Sequence, residues 1–324
     1  MRALLSSSNL STLWANLDER VSGSLDLPVG AQCYFVKPTL WGRSLASLRL
    51  FRSAKADDVV LCFHGMPPVF PVKGRVIVFK QNRIHLGMDP LSVNWRTRLR
   101  QSVEKLICRV FRSSVDEYIV QTPSMKLAVQ AWHGGAPTIR VMPFLNDLSV
   151  ADAELGPAQK DFVYVADGET HKNHRTLIAA WILLAQEGIF PTLTLTLPSR
   201  FTELWREIET AVREHGLRIE NVGSISHESI LKLYGSAKAL IFPSTTESFG
   251  LPLIEASAAR LPIIASELDY VRDVCVPAET FNPHSAHSIA AAVKRFMNIA
   301  VPPLRIRSAE EFLAELHVVS GDRT

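Results

Sequence analysis

The chain has 324 residues, 47% of them hydrophobic and 21% charged, which excludes a disordered chain and leaves length for two domains of ordinary size. No apolar run approaches the ~20 residues that span a bilayer, and the N-terminus lacks an apolar core with a cleavage site, so a cytoplasmic location is expected. The net charge of +3 conceals an asymmetry: residues 1–150 hold 19 Lys/Arg against 10 Asp/Glu (+9), and residues 151–324 hold 16 against 22 (−6).

The basic half is expected to face something anionic. Cys33, Cys62, Cys108 and Cys275 are scattered with no C-x-x-C pair, which argues against a disulfide frame and a zinc site and reads as reduced, mostly buried thiols. No metal ligands are assigned.

The first 50 residues open on polar S-S-S-N-L-S-T and show no obvious strand. Val59 to Phe63 reads as a buried strand ending at His64-Gly65-Met66-Pro67-Pro68, and Val76 to Phe79 as a second ending at Lys80-Gln81-Asn82-Arg83. These loops are expected at the carboxyl edge of a sheet, facing a cleft. His64 and Asn82 are the candidate contacts there, although His64 also reads as an ordinary solvated loop histidine.

Trp95 to Arg112 is an amphipathic helix in which Trp95, Leu99, Val103, Leu106 and Val110 recur at helical spacing, with Arg96, Arg100, Lys105, Arg109 and Arg112 on other faces. Two readings stand: a basic helix lying on an anionic membrane surface, and a helix packing its stripe on the sheet. Tyr118 to Ser124 reads as a strand running into a cap, with Met125 to Trp132 the helix. A strand from Ile139 to Leu145 and polar residues 146–160 then form a linker, dividing the chain into residues 1–150 and 151–324.

Asp161 to Ala166 restarts an apolar strand. The loop after it carries His171, Lys172 and His174 and leads into a helix from Arg175 to Ala185. Free amides and an ammonium meet there, as a diphosphate requires. Lys172 otherwise reads as a surface lysine, which opposes the helix dipole at that position. Leu193 to Leu197 is a strand, Phe201 to His215 a helix, and Ile219 to Ser226 leads to a helix from His227 to Ser236. Ser285 to Met297 and Ala309 to His317 are the last helices.

Between these lies the most informative stretch. Ala239 to Phe242 is a buried strand broken by Pro243-Ser244-Thr245-Thr246; Glu247 sits in that loop, Gly250 and Pro252 open a helix carrying Glu255, and Pro262 to Ser266 is the next buried strand. Strand, loop, helix, strand puts both acids where parallel strands end. The amides of Ser248, Phe249, Gly250 and Leu251 suit phosphate or sugar oxygens, and Gly250 admits close approach. Two carboxylates beside an anion site suit the vicinal hydroxyls of a sugar nucleotide. Taken singly, each is also an unremarkable loop or first-turn acid.

Glu247 and Glu255, with S-F-G-L-P-L-I between them, resemble the Glu-x7-Glu signature of retaining glycosyltransferases of family 4, of the bacterial surface-polysaccharide type. The resemblance is close over roughly residues 160 to 300 and weaker before them. It implies an α/β fold of the GT-B kind: two Rossmann-like domains with parallel sheets facing a cleft, the acceptor-side domain in residues 1–150 and the donor domain in 151–324. It implies that Glu247 contacts the donor sugar, Glu255 the ribose and the F-G-L-P amides the sugar and phosphates, with Lys172 on the diphosphate and His171 beside it. The segment with Ile225 resembles the one beside the nucleobase.

Many relatives carry Gly-Arg ahead of that lysine where this chain has Ala166-Asp167; His171, His174 and Arg175 are the candidate substitutes. GT-B chains usually open on a strand and a glycine-rich loop, absent here, which implies a truncated reading frame or loss of the first β-α unit. The expected partners are a nucleotide-diphosphate sugar as donor substrate, a glycan or lipid-linked acceptor and an anionic membrane surface through residues 95–112, the last placing the protein peripherally on the inner face of the cell membrane. No cofactor and no nucleic acid are expected. The alternative function is a non-catalytic remnant that binds nucleotide-sugar or a partner transferase; a two-carboxylate hydrolase is disfavoured, because both acids lie on one short segment.

Overall fold

The computed structural model describes residues 14–19, 32–37, 39–87, 95–143 and 159–299. Two strands lie within the first 50 residues, β1 (Trp14–Asp18) and β2 (Gln32–Val36), paired in parallel, which corrects the expectation that no strand opens the chain. The sequence concealed them because burial follows no alternation: β1 buries only Leu17 and β2 no residue fully. Helix α1 (Leu40–Ser53) follows, capped by Thr39, whose hydroxyl accepts from the Gly42 N–H at 3.1 Å.

β3 (Val59–Cys62), β4 (Arg75–Phe79), β5 (Glu117–Val120) and β6 (Ile139–Val141) form a four-stranded parallel sheet in chain order. Helix α2 (Trp95–Val110) crosses between β4 and β5, and α3 (Pro123–His133) between β5 and β6. Thr122 caps α3 by accepting from the Met125 N–H, and Gly134 ends it in the left-handed region. Glu117, buried on β5, accepts from Arg140 on β6 and Arg75 on β4, which tie the three strands together. The strand expected from Ile139 to Leu145 stops at Val141, and the boundary expected near residue 150 lies outside the described residues.

The orientation of α2 decides between the two readings of its stripe. Glu104 and Cys108 face inward: Glu104 accepts from Arg43 of α1 at 2.8 Å and lies 3.5 Å from His85, and Cys108 lies 3.4 Å from the buried ammonium of Lys80. Trp95, Leu99, Leu106 and Val110 are 68, 59, 60 and 58% exposed. The helix packs by its polar side and turns its apolar stripe outward, with Arg98, Arg100 and Arg109 exposed beside it.

The second sheet has six parallel strands in the order β12-β11-β10-β7-β8-β9: β7 (Lys160–Tyr164), β8 (Leu193–Leu195), β9 (Ile219–Asn221), β10 (Ala237–Phe242), β11 (Ile263–Ser266) and β12 (Glu279–Phe281). Lys160, expected in the linker, already belongs to β7. Helices α4 (His174–Gln186), α5 (Thr202–His215), α6 (His227–Gly235), α7 (Leu251–Ala258) and the single turn α8 (Asp269–Arg272) connect the strands, and α9 (Ala286–Phe296) follows the last of them. Continuous apolar runs follow from burial on both faces: Phe162, Val163 and Tyr164 on β7 and Ala239 to Phe242 on β10 are all fully enclosed. From β7 the chain runs outward through β8 and β9, then returns to the opposite side at β10. The gap between the loops leaving β7 and β10 is therefore the switch point, where ligands of such sheets bind.

Trp181 of α4 anchors this core at 1% exposure, donating its indole N–H to Pro191 O at 3.0 Å with its ring edge-on to Phe162 at 5.7 Å. Replacing Trp181 with Ala is expected to cost about 3–5 kcal/mol of unfolding free energy in a urea titration.

Candidate functional site

The loops on either side of the switch point carry Lys172 and Glu247, and the fold brings these together. Nζ of Lys172 donates to Oε1 of Glu247 at 2.6 Å, with the side chains 17 and 12% exposed. Lys172 lies not in α4 but in the short turn Thr170–Lys172 before it, and Asn173 makes the corner with φ of 62°, a left-handed conformation that asparagine tolerates better than most residues.

Four side chains hold these loops in register. The Asn173 amide donates to Pro243 O at 3.1 Å and Pro283 O at 2.7 Å, joining the loops after β7, β10 and β12. Ser244, fully buried, donates to Glu247 Oε1 at 2.7 Å and lies 3.1 Å from His171 O. Tyr270 on α8 donates its hydroxyl to Ser244 O at 2.7 Å, and Tyr164 on β7 donates to Lys172 O at 2.6 Å. Burial holds both phenols above the ordinary tyrosine range, so they remain neutral donors. Sequence reasoning missed Ser244, Tyr270, Tyr164 and Asn173 as candidate site residues; a polar residue two places past the end of a buried strand, as Ser244 is, was the available signal.

Past Glu247 the chain turns into α7 at Gly250, whose φ of 71° suits glycine and where an added Cβ would come within 3.0 Å of Leu253. The N–H groups of Ser248, Phe249, Gly250 and Leu251 make no hydrogen bond within the described residues, and α7 has no acid in its first turn. Phe249 is buried and Leu251 exposed. Four unengaged amides thus stand at a helix start directly after Glu247 in the chain, where N–H groups are free to meet an acceptor.

Glu255, on α7, accepts from the Tyr234 hydroxyl at 3.2 Å and lies 3.7 Å from His227 Nδ1. Desolvation raises its pKa, against the opposing effects of His227 and Tyr234. Ile225, in the loop between β9 and α6, packs half-buried against the core.

The substitutes expected for the absent Gly-Arg are placed as follows. Arg175 is exposed and bound through Nε and Nη2 to Glu207 at 2.8 and 2.9 Å, which occupies it. His174 is buried against the Tyr164 ring at 4.9 Å, and desolvation lowers its pKa to about 4. His171 remains beside Lys172, its own pKa lowered by burial and by that ammonium, and Asp167 lies 3.4 Å from Arg200. In the other half, His64 is exposed on the loop after β3 and Asn82 follows β4. Lys80, in the same loop, is enclosed, donating to Gly65 O at 2.9 Å. The two sheets meet where the Ser124 N–H, at the start of α3, donates to Asp273 Oδ2, just past α8, at 2.9 Å.

Residues 151–310 match the family model described as glycosyl transferases group 1. Over 74% of its length this chain is 29% identical to the O-antigen chain mannosyltransferase B of Escherichia coli, covering 61% of that protein. Over 63% it is 28% identical to the serotype-specific mannosyltransferase WbdA of Escherichia coli, covering 26% of that much longer chain. The chain thus spans between about a quarter and three-fifths of these relatives. Among solved structures, the sucrose-phosphate synthase of Thermosynechococcus elongatus superposes with a TM-score of 0.59 at 22% identity, covering 91% of this chain and 66% of that one. The fold is GT-B, as the resemblance implied.

A ligand hydroxyl donates more strongly to an ionised Glu255 than to its neutral carboxyl. Because burial raises its pKa, Glu255 takes up its proton at a higher pH than an ordinary glutamate, and affinity for a ribose-bearing ligand is expected to decline on acidification ahead of the usual carboxylate range. Glu255→Gln is expected to weaken binding by about 1–3 kcal/mol at neutral pH and to flatten that acidic decline, as measured by calorimetry across pH.

Proposed function

We propose that this protein is a retaining glycosyltransferase that moves a sugar from a nucleotide-diphosphate sugar to a hydroxyl of a glycan or lipid-linked acceptor, with no metal in the transfer. The observation that carries this reading is the Lys172–Glu247 pair, held at the switch point and followed in the chain by four unengaged amides. As the bond from the anomeric carbon to the phosphate oxygen breaks, negative charge grows on the phosphate. Lys172 and the amides of Phe249 and Gly250 stabilise it. Glu247 accepts from a donor-sugar hydroxyl and Glu255 from the ribose. The acceptor oxygen bonds to the anomeric carbon on the face the phosphate leaves, and its proton passes to the departing phosphate oxygen, which retains the configuration. The relatives' names make a mannosyl donor and a surface-polysaccharide acceptor the first substrates to try.

A second reading, a remnant that binds without turnover, is favoured by Asp167, an acid in the loop that carries Lys172 where the family resemblance implies a cation. Lys172→Ala separates the two. For an enzyme, turnover at saturating donor is expected to fall about a hundredfold or more with a smaller change in donor affinity. Wild type that binds nucleotide-sugar but neither transfers nor hydrolyses it supports the remnant, and equal turnover in both proteins removes Lys172 from the mechanism.

The outward stripe of α2 supports a peripheral place on an anionic membrane surface. Trp95, Leu99, Leu106 and Val110 would enter the interface while Arg98, Arg100 and Arg109 meet lipid phosphates. No helix among the described residues is long and apolar enough to cross a membrane. Wild type is expected to bind acidic vesicles at low salt and to dissociate as salt rises, and replacing the three arginines with Gln to weaken binding by ~1 kcal/mol per charge. Indifference to acidic vesicles at low salt would sink this assignment.

A further inference from the structure

A guanidinium from the N-terminal half stands close to the site just described. Arg83 opens the short turn Arg83–Leu86 that follows the loop after β4, and its Nη2 donates to Ser124 Oγ at 2.7 Å. The N–H of the same Ser124 makes the bond to Asp273 that joins the two halves. Beyond that contact, α8 carries Tyr270, bonded to Ser244 O, and Ser244 is bonded in turn to Glu247. A continuous path therefore leads from Arg83 across the junction of the sheets to the Lys172–Glu247 pair.

Arg83 is not used up by this position. Its Nε is buried and meets no acceptor, and it forms no ion pair with a carboxylate among the described residues. Asp273, Asp269 and Glu247 all act on it electrostatically, although desolvation still lowers its pKa. Glu117 and Glu207 show the alternative in the same molecule, since each takes an arginine through two short bonds. A half-buried guanidinium with no carboxylate partner among the described residues is suited to an incoming oxyanion, because its planar fork matches phosphate oxygens.

We propose that Arg83 is a substrate-binding residue that receives a phosphate of the bound substrate from the N-terminal side of the cleft, as a second cation alongside Lys172. The proposal rests on the reading of the site given under Proposed function. Two phosphates have the required chemistry: the diphosphate of the donor, and the phosphate of an acceptor presented on a lipid diphosphate. With the first, Arg83 supplies the charge that Ala166-Asp167 does not. It also ties donor binding to the junction, because the diphosphate then touches groups from both sheets.

The test titrates UDP, GDP, ADP and dTDP, and the matching nucleosides, into wild type, Arg83→Gln and Arg83→Lys by calorimetry, with melting temperatures recorded. Arg83→Gln is expected to lose tenfold or more in affinity for the diphosphate that wild type binds, to hold its affinity for the nucleoside, and to be partly rescued in Arg83→Lys. Unchanged diphosphate affinity with a raised KM for a saccharide on a lipid diphosphate, but not for the free saccharide, assigns the contact to the acceptor. If Arg83→Gln weakens diphosphate and nucleoside by the same factor, Arg83 only holds the halves together and the proposal is overturned. It is equally overturned if no affinity and no KM changes. Wild type that binds none of the four nucleotides defeats the reading of the site itself.

Discussion

The site depends on an aromatic wedge beneath it. Phe242, the last residue of β10, packs edge-on against Tyr164 at 5.8 Å and against Tyr270 at 6.5 Å. Each tyrosine spends its hydroxyl on a backbone carbonyl of a different loop, Lys172 on one side and Ser244 on the other. A neutral buried phenol must keep its hydrogen bond or bear the full desolvation cost, so both loops are held where the rings place them. Packing of three apolar ring faces is thereby converted into the position of two charged side chains.

The sheet order explains why the charges stand there. With every strand parallel and both faces covered, all the carboxyl-end loops open on one edge, and only between β7 and β10 do adjacent loops lead away from each other. Lys172 and Glu247 occupy the two lips of that gap. Half-buried as they are, their mutual attraction does little more than offset their lost hydration. The pair is better understood as a placed functional group than as a source of stability.

Much of this was legible in the residues. Apolar runs such as Ala239 to Phe242 marked buried strands, and the spacing of Glu247 and Glu255 around F-G-L-P marked a loop entering a helix. Lys172 was also legible as a cation before a helix, but its partner was not, since 75 residues separate it from Glu247 and only the switch point brings them together. The periodicity of α2 gave a stripe without saying which side packs. Paired polar groups decided that, with Glu104 against Arg43 and His85 and Cys108 against Lys80, and the ordinary expectation that apolar faces turn inward was overridden. β1 escaped notice because W-A-N-L-D carries neither alternation nor a continuous apolar run. Arg83 read only as one more loop cation, because its bonded neighbour, Ser124 at the start of α3, lies 41 residues further along the chain.

The pairing of Lys172 with Glu247 also makes the site conditional. Separately, a phosphate would draw off the lysine and leave the glutamate only the Ser244 hydroxyl, and a sugar hydroxyl would engage the glutamate and weaken the lysine's counter-charge. A molecule that carries both groups at the right separation replaces both lost bonds at once. Under the proposed function the pair would therefore act as a two-input gate, in which each half of a composite ligand cancels the penalty the other half creates, so that the joined molecule would bind better than its fragments.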